Sequence, residues 1–343
     1  LGEQRRISYC VMTTTPSPLK SPFPWFGGKS RVAPLVWERF GPGIANFIEP
    51  FFGSGAVLLG RPGVDLDRLP LETINDLDGF VCNFWRALQA DPEALAQWAD
   101  WPAVENDLHA RHSWLVQRRA DLTLQLEGNP DYYDAKVAGW WVWGLALWFG
   151  GGFCSGNGPW QVQDDKLVKT DGNPGRGVKR QRPAANPGRG VKRQSLESGL
   201  PDYFHRLAAR LKRVRVCSGD WSRICGPIPT FKQGLTGVFL DPPYSTEADR
   251  DMTIYAIDCD GVARRVQEWC LENGDNPLLR IALCGYEGEH DMPDTWACVR
   301  WKTSGGYGCQ GETRGRDNAA RERIWLSPHT LKGRQSDLFS SAI

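Results

Sequence analysis

Asp241-Pro242-Pro243-Tyr244 follows the apolar run 237–240 and is the stretch of this chain best equipped for chemistry. Two prolines remove two backbone donors and stiffen the turn, while their carbonyls stay free to accept. A carboxylate beside such carbonyls suits one particular problem, the activation of an exocyclic amino group such as that of adenine, whose lone pair is delocalised into the ring. Asp241 and the Pro242 carbonyl can each accept one N–H of that group and aim the nitrogen lone pair at an electrophile, which is catalysis by preorganised acceptors and orientation. Tyr244 can stack on the base, a contact worth about 1–3 kcal/mol. A base inside a duplex must be flipped out to reach such a pocket. A rigid strand-end turn without chemistry is the plain alternative for the same four residues.

A second constellation lies earlier in the chain. Glu49-Pro50-Phe51-Phe52-Gly53-Ser54-Gly55 stands between the apolar run 46–48 and Ala56-Val57-Leu58-Leu59, and reads as strand, turn, helix. Gly53 and Gly55 permit a tight turn and close approach of a ligand. No Gly-Lys-Ser/Thr closes the turn, so it is not a phosphate-gripping loop, and S-adenosylmethionine, which has no phosphate, suits that absence. Asp76 follows a second strand that the pattern ends at Ile74; it is placed to accept from ribose hydroxyls, or simply to cap a helix. In Trp25-Phe26-Gly27-Gly28-Lys29 the glycines permit close approach and the lysine can pair with a carboxylate, such as the amino-acid end of that cofactor; a surface loop is the alternative.

The elements that must hold these residues alternate between strand and helix. Helices are predicted over 79–88, over much of 90–150 with Asp91-Pro92-Glu93 as a start signal, and over 203–212 and 261–272. Strands are predicted over 214–217, 237–240 and 280–284, with a last pair over 297–302 and 323–326. The pattern implies an α/β fold with a mostly parallel sheet. The tryptophan-rich stretch 133–149 is apolar nearly all round and reads as a buried helix. From Gly150 to about Gly199 the composition becomes loop-like, and the nonapeptide Asn-Pro-Gly-Arg-Gly-Val-Lys-Arg-Gln occurs twice, at 173–181 and 186–194. Its cations Arg176, Lys179, Arg180, Arg189, Lys192 and Arg193, with Arg182 between the copies, face no acid within the repeat, so phosphate neutralisation is their simplest use and a solvated loop the alternative. The organisation that follows is a flexible tail over 1–21, a catalytic domain over 22–89 and 200–343, and an inserted region over 90–199. Met12 is a candidate start, with Leu1 to Val11 an upstream extension.

Composition sets the remaining limits. A net charge of +1 over 343 residues gives no global basic field, so a nucleic-acid partner has to be held by local patches. Ten cysteines are scattered without a C-x-x-C pair, which reads as free thiols in a reducing cytoplasm and as no metal site. No segment reaches the roughly 18–20 apolar residues of a membrane span.

Phe26-Gly27-Gly28-Lys29, then Glu49 to Gly55, then an insertion, then Asp241 to Tyr244 is an order that resembles the Dam-like D12 class, or group alpha, of DNA adenine-N6 methyltransferases. The resemblance covers about 22–89 and 200–327. It implies a Rossmann-like seven-stranded sheet with one antiparallel strand and S-adenosylmethionine as cofactor. It further implies that Trp25, Gly28 and Lys29 meet the cofactor's amino-acid end, that Glu49, Pro50, Phe51, Gly53 and Gly55 line its pocket with Asp241 beside it, that Asp76 binds ribose and that Asp220 faces its adenine. Double-stranded DNA is the implied partner and a monomer the implied state; a phage or prophage orphan enzyme is one candidate identity. Phe149-Gly150-Gly151-Gly152-Phe153 resembles a family loop near the active site, whereas the insertion departs from the recognition domain of the GATC-specific members. Gly305-Gly306-Tyr307-Gly308 with Arg314, Arg316 and Arg321 is read as a second DNA-facing loop or a hairpin. An amino-methyltransferase acting on cytosine N4, RNA adenine or glutamine, a catalytically inactive DNA-binding subunit and a non-enzymatic interaction protein are the competing readings.

Overall fold

The computed structural model describes residues 19–25, 28–64, 70–148, 153–154, 199–244, 261–301 and 321–332, and the backbone alone of 160–163 and 166–169. The basic repeat, Phe26 and Gly27, Phe149 to Gly152, and residues 302–320 lie outside that set.

Among the described residues the first elements are a short 3-10 helix, Lys29–Arg31, and α1 (Ala33–Phe40), which the sequence pattern does not predict. β1 (Asn46–Glu49) passes through the glycine turn into α2 (Ala56–Leu59). β2 (Leu71–Asp76) follows, two residues longer than its apolar pattern, then α3 (Gly79–Ala90), α4 (Pro92–Ala99), α5 (Glu105–Gly128) and α6 (Ala135–Leu147). A strand pair, β3 (Trp160–Gln163) and β4 (Lys166–Lys169), corrects the loop-like reading of 150–199 at that point. α7 (Leu200–Leu211), β5 (Arg215–Ser218), β6 (Thr236–Leu240), α8 (Val262–Asn273), β7 (Leu279–Tyr286), β8 (Ala297–Arg300) and β9 (Glu322–Leu326) complete the order.

Seven strands form one sheet in the order β5-β2-β1-β6-β7-β9-β8. Its first five strands are mutually parallel, and β9 runs against both of its neighbours. This is a Rossmann-like α/β sheet with the one antiparallel strand the resemblance implied. The burial pattern explains the order. β1 and β6 are buried at every position, as central strands covered on both faces must be, whereas β5 and β8 at the margins carry exposed residues. Side chains alternate between two cores: Phe47, Phe239, Ala282 and Cys284 join one, and Ile48, Val238, Leu240, Ile281 and Leu283 the other, beneath α8.

The first core is the larger, and α3 to α7 all contribute to it. Local chemistry sets their ends. Asp78 caps α3 through the Phe80 amide at 2.8 Å, Asp91 caps α4 through Ala94 at 2.9 Å with Pro92 behind it, and Asp134 caps α6 through Val137 at 2.8 Å. α6 is apolar nearly all round because it packs against α3, α4 and α5 at once. Leu19, next to the described start, packs on this core, and the Tyr203 hydroxyl donates to the Lys20 carbonyl.

One buried ion cluster ties α7 to the sheet. Glu72 on β2 accepts both Arg210 nitrogens, at 2.6 and 2.9 Å, and Arg61 at 3.1 Å. Removing the shared acid strands two guanidiniums in the interior, which typically costs about 3–5 kcal/mol. Glu72→Gln is therefore expected to lower unfolding stability by about 3 kcal/mol, read from urea denaturation; an unchanged midpoint would refute a stabilising role for the cluster.

Candidate active site

Parallel strands hand over to loops at their carboxyl ends, and a sheet of this topology leaves a crevice there, where the chain switches direction between β1 and β6. The sequence-predicted acids lie along that edge. Glu49 ends β1, Asp76 ends β2, Asp220 follows β5, and Asp241 follows β6. β9 is antiparallel, so its first residue, Glu322, comes to the same edge, opposite Tyr286 at the end of β7.

Lys29 is the cation of this edge. It is 5% exposed on the 3-10 helix rather than on a surface loop, and its Nζ lies 2.9 Å from Asp241 Oδ1. The same ammonium donates to the Tyr244 hydroxyl at 3.2 Å and lies 5.5 and 5.4 Å from the ring centres of Tyr244 and Trp301. Tyr244 in turn donates to Glu322 Oε2 at 2.8 Å, while Asp241 Oδ1 stands 3.4 Å from the hydroxyl. The Tyr286 ring meets Tyr244 edge to face, with centres 4.5 Å apart. Burial drives the electrostatics. It opposes the charge on Lys29, yet Asp241 and Glu322 together hold that lysine well above its ordinary value. Burial also raises Asp241, with the Lys29 ammonium pulling it back. Tyr244 is raised strongly by burial and then by the two acids, so it stays a hydroxyl.

The glycine turn is as tight as its sequence implies. Gly53 and Gly55 have φ of 48° and 70°, values that disfavour any side chain. The space beside Gly53 is taken by the chain's own Trp25, whose indole would come within 2.3 Å of an added Cβ; beside Gly55 it is the Phe52 ring, at 2.5 Å. Gly28, with φ −41°, has no such constraint. Glu49 is buried beneath this turn, and its Oε2 accepts the Leu58 amide at 3.1 Å, inside the first turn of α2. Burial raises its carboxyl well above the usual range. The Pro50 carbonyl accepts from Asn75 at 3.1 Å, and the Phe51 ring lies 6.2 Å from that of Trp221.

Asp76 accepts the Gly53 amide at 2.9 Å and the Asp78 amide at 3.0 Å, thereby joining the two turns. It lines a small recess with Phe52, Asn75, Trp85 and Cys217. Burial lifts it from 3.8 to about 6 against the pull of those amides. Asp220 is more open. Ser222 and Arg265 stabilise its charge, and its pKa is lowered.

The structure thus brings Lys29, Asp241 and Tyr244 together and sets Asp76 and Asp220 along the same edge. Pro242 and Pro243 continue the turn after Asp241. The repeat cations, Arg176 to Arg193, lie outside the described residues, as do Arg314 and Arg316. Arg321 is described and lies over the Tyr286 ring at 5.3 Å. Glu322, Tyr286 and Trp301 were not identified from the sequence; a glutamate opening a late strand becomes informative only once that strand is known to run backwards. The seven described cysteines are free, and among the described residues no helix is long and apolar enough to cross a membrane.

Residues 25–112 match the family model for the D12 class N6 adenine-specific DNA methyltransferase. The matched segment includes Lys29, the glycine turn and Asp76, and it ends well before Asp241. No curated protein matches the chain.

The raised Asp76 carboxyl has a consequence for stability. A folded-state value near 6 against an ordinary 3.8 means that the folded chain keeps this proton longer than the unfolded chain does. Its contribution therefore favours folding at low pH and is lost as pH rises from about 4 to about 6. Asp76→Asn should remove that component: its stability relative to wild type should increase across this window in chemical unfolding. A constant difference would refute the assignment.

Proposed function

On the premise that this chain is of the D12 class of N6 adenine-specific DNA methyltransferases, we propose that it transfers a methyl group from S-adenosylmethionine to the N6 amino group of an adenine flipped out of double-stranded DNA. The single observation that carries the reading is the Lys29–Asp241–Tyr244 cluster, which sits at the crevice end of the two central strands beside the glycine turn.

The residues present fit the cofactor. Asp76 offers a carboxylate at the end of β2 beside the glycine turn, and Asp220 stands beyond it after β5. Asp76 takes ribose hydroxyls, Asp220 faces the adenine ring, and Trp25, Gly28 and Lys29 border the amino-acid end. Glu49 contributes by holding the turn on α2, and Pro50 and Phe51 form the wall between β1 and β2. When bound, S-adenosylmethionine supplies an electrophilic methyl group.

The chain's own work is done on the amine. Lys29 occupies only one oxygen of Asp241, and among the described residues Oδ2 has no hydrogen-bond partner. Asp241 Oδ2 and the Pro242 carbonyl accept the two N–H groups, localising the nitrogen lone pair for in-line attack. Pro243 keeps the turn rigid. Tyr244 borders the base, with its ring already held between Lys29 and Tyr286. Region 90–199 is the insertion that meets DNA in this reading, and Arg176, Lys179, Arg180, Arg189, Lys192 and Arg193 neutralise phosphates without selecting sequence.

Two measurements test this. Wild type should transfer labelled methyl groups to DNA and leave N6-methyladenine after digestion to nucleosides. Asp241→Ala should lower the rate by about 100-fold or more, the scale of one lost transition-state acceptor. N4-methylcytosine as the product, or equal incorporation by the variant, would sink the reading. In calorimetry, S-adenosylmethionine affinity should rise as pH passes through about 6, where Asp76 ionises. Asp76→Ala should lower affinity about tenfold and flatten that dependence; unchanged binding would remove Asp76 from the site.

A further inference from the structure

We propose that Glu322 is a positioning residue for the methyl transfer: it accepts the hydrogen bond of the Tyr244 hydroxyl and so keeps that hydroxyl off Asp241. The inference rests on the methyl-transfer reading of the same cluster.

A tyrosine hydroxyl has one proton and two lone pairs. Here two carboxylates compete for the proton. Glu322 Oε2 is 2.8 Å away, whereas Asp241 Oδ1 is 3.4 Å away. The shorter contact has the length of a well-formed O–H···O bond, and the longer one lies beyond the usual range. The hydroxyl therefore donates to Glu322, and its oxygen faces Lys29 as an acceptor at 3.2 Å. Lys29 completes the circuit on Asp241 at 2.9 Å. Each group then has one assignment, and Asp241 keeps an oxygen for the incoming amine.

The geometry depends on the antiparallel strand. Glu322 is the first residue of β9, paired with Tyr286, and is 4% exposed. The Trp301 amide donates to its backbone carbonyl at 3.3 Å, and the Tyr286 ring buttresses Tyr244, so neither partner of the Glu322–Tyr244 bond is free to drift. Without an acceptor at position 322, the nearest remaining carboxylate for the Tyr244 proton is Asp241. The hydroxyl would then add a second donor to Asp241 Oδ1 beside Lys29, draw charge from the carboxylate and weaken Oδ2 as the acceptor of the amine.

This yields a signature that a merely structural role lacks. Glu322→Leu, which keeps the bulk and removes the acceptor, should lower kcat for DNA methylation about tenfold, with KM for DNA and for S-adenosylmethionine within about twofold of wild type. The same change made in a Tyr244→Phe background should lower kcat no further, because there is no hydroxyl to redirect. Equal losses in both backgrounds, or no loss in the first, would overturn the proposal. Should the leucine variant fail to fold, Glu322→Gln and Glu322→Asp decide the matter. Glutamine keeps the acceptor without the charge; aspartate keeps the charge and falls short of the hydroxyl. Glutamine more active than aspartate supports the proposal, and the reverse order overturns it. Wild-type methylation of DNA, measured alongside, separates the two claims: its absence refutes the methyl-transfer reading, while its presence with additive losses refutes the role of Glu322 alone.

Discussion

The ion pair between Lys29 and Asp241 is the contact on which the rest of the site depends. It joins the segment ahead of α1 to the end of the central strand β6, and it does so where both side chains are largely out of water. Such a pair adds little net stability. Coulomb attraction of about 4 kcal/mol at an effective dielectric near 20 is set against a desolvation penalty of several kcal/mol per ion. What the pair supplies is placement. Once the lysine is buried among Asp241, Glu322 and the Tyr244 hydroxyl, any displacement leaves a charge without a partner, so the four groups hold one another in register.

Topology explains how groups so distant in sequence meet. In a parallel sheet every strand delivers its last residue to one edge, so Glu49, Asp76 and Asp241 arrive together without any contact between their local sequences. The reversed strand β9 breaks this rule in a productive way. It contributes its beginning rather than its end, and it adds an acid that the parallel strands do not provide. The tryptophan-rich α6 acts from behind. Trp141 packs against Phe23 at 5.0 Å and Trp25 at 6.1 Å, and Trp25 in turn covers Gly53. The core of the helical region thus reaches the glycine turn through two rings.

Much of this was legible in the sequence, for reasons that differ by element. β6 and β7 are short apolar runs bounded by breakers, and the Asp91-Pro92 start is a local capping signal, so each could be placed from a few neighbouring residues. The two glycines at positive φ and Asp241 with its prolines were equally local. What escaped was set by tertiary context. β2 extends to Asp76 because Asn75 and Asp76 pair with Cys217 and Ser218 of β5, although neither is apolar. α1 owes its place to Val36, Trp37 and Phe40 packing on the core, a pattern spread over only eight residues. From its local sequence Lys29 can pair with a carboxylate, such as the cofactor's amino-acid end, or lie on a surface loop; the structure pairs it with Asp241 of the chain itself. Glu322 needed the register of two antiparallel strands.

The charges along the crevice also bear on what the site accepts. Five carboxyls line one edge, with Lys29 the cation among them and Arg265 flanking Asp220. The chain treats each differently: Glu49 is held against the first turn of α2, Asp76 is fed by backbone amides, Asp220 is kept ionised by Ser222 and Arg265, and Asp241 and Glu322 share a lysine and a tyrosine. An edge so rich in acids repels phosphate, which agrees with a glycine turn that lacks a phosphate-binding lysine or hydroxyl at its close. It favours a ligand that carries positive charge and hydroxyl donors. The same field works against a DNA backbone. Approach of a duplex to this crevice then requires compensating cations at its margins. The repeat at 173–194 offers seven basic residues without an acid among them.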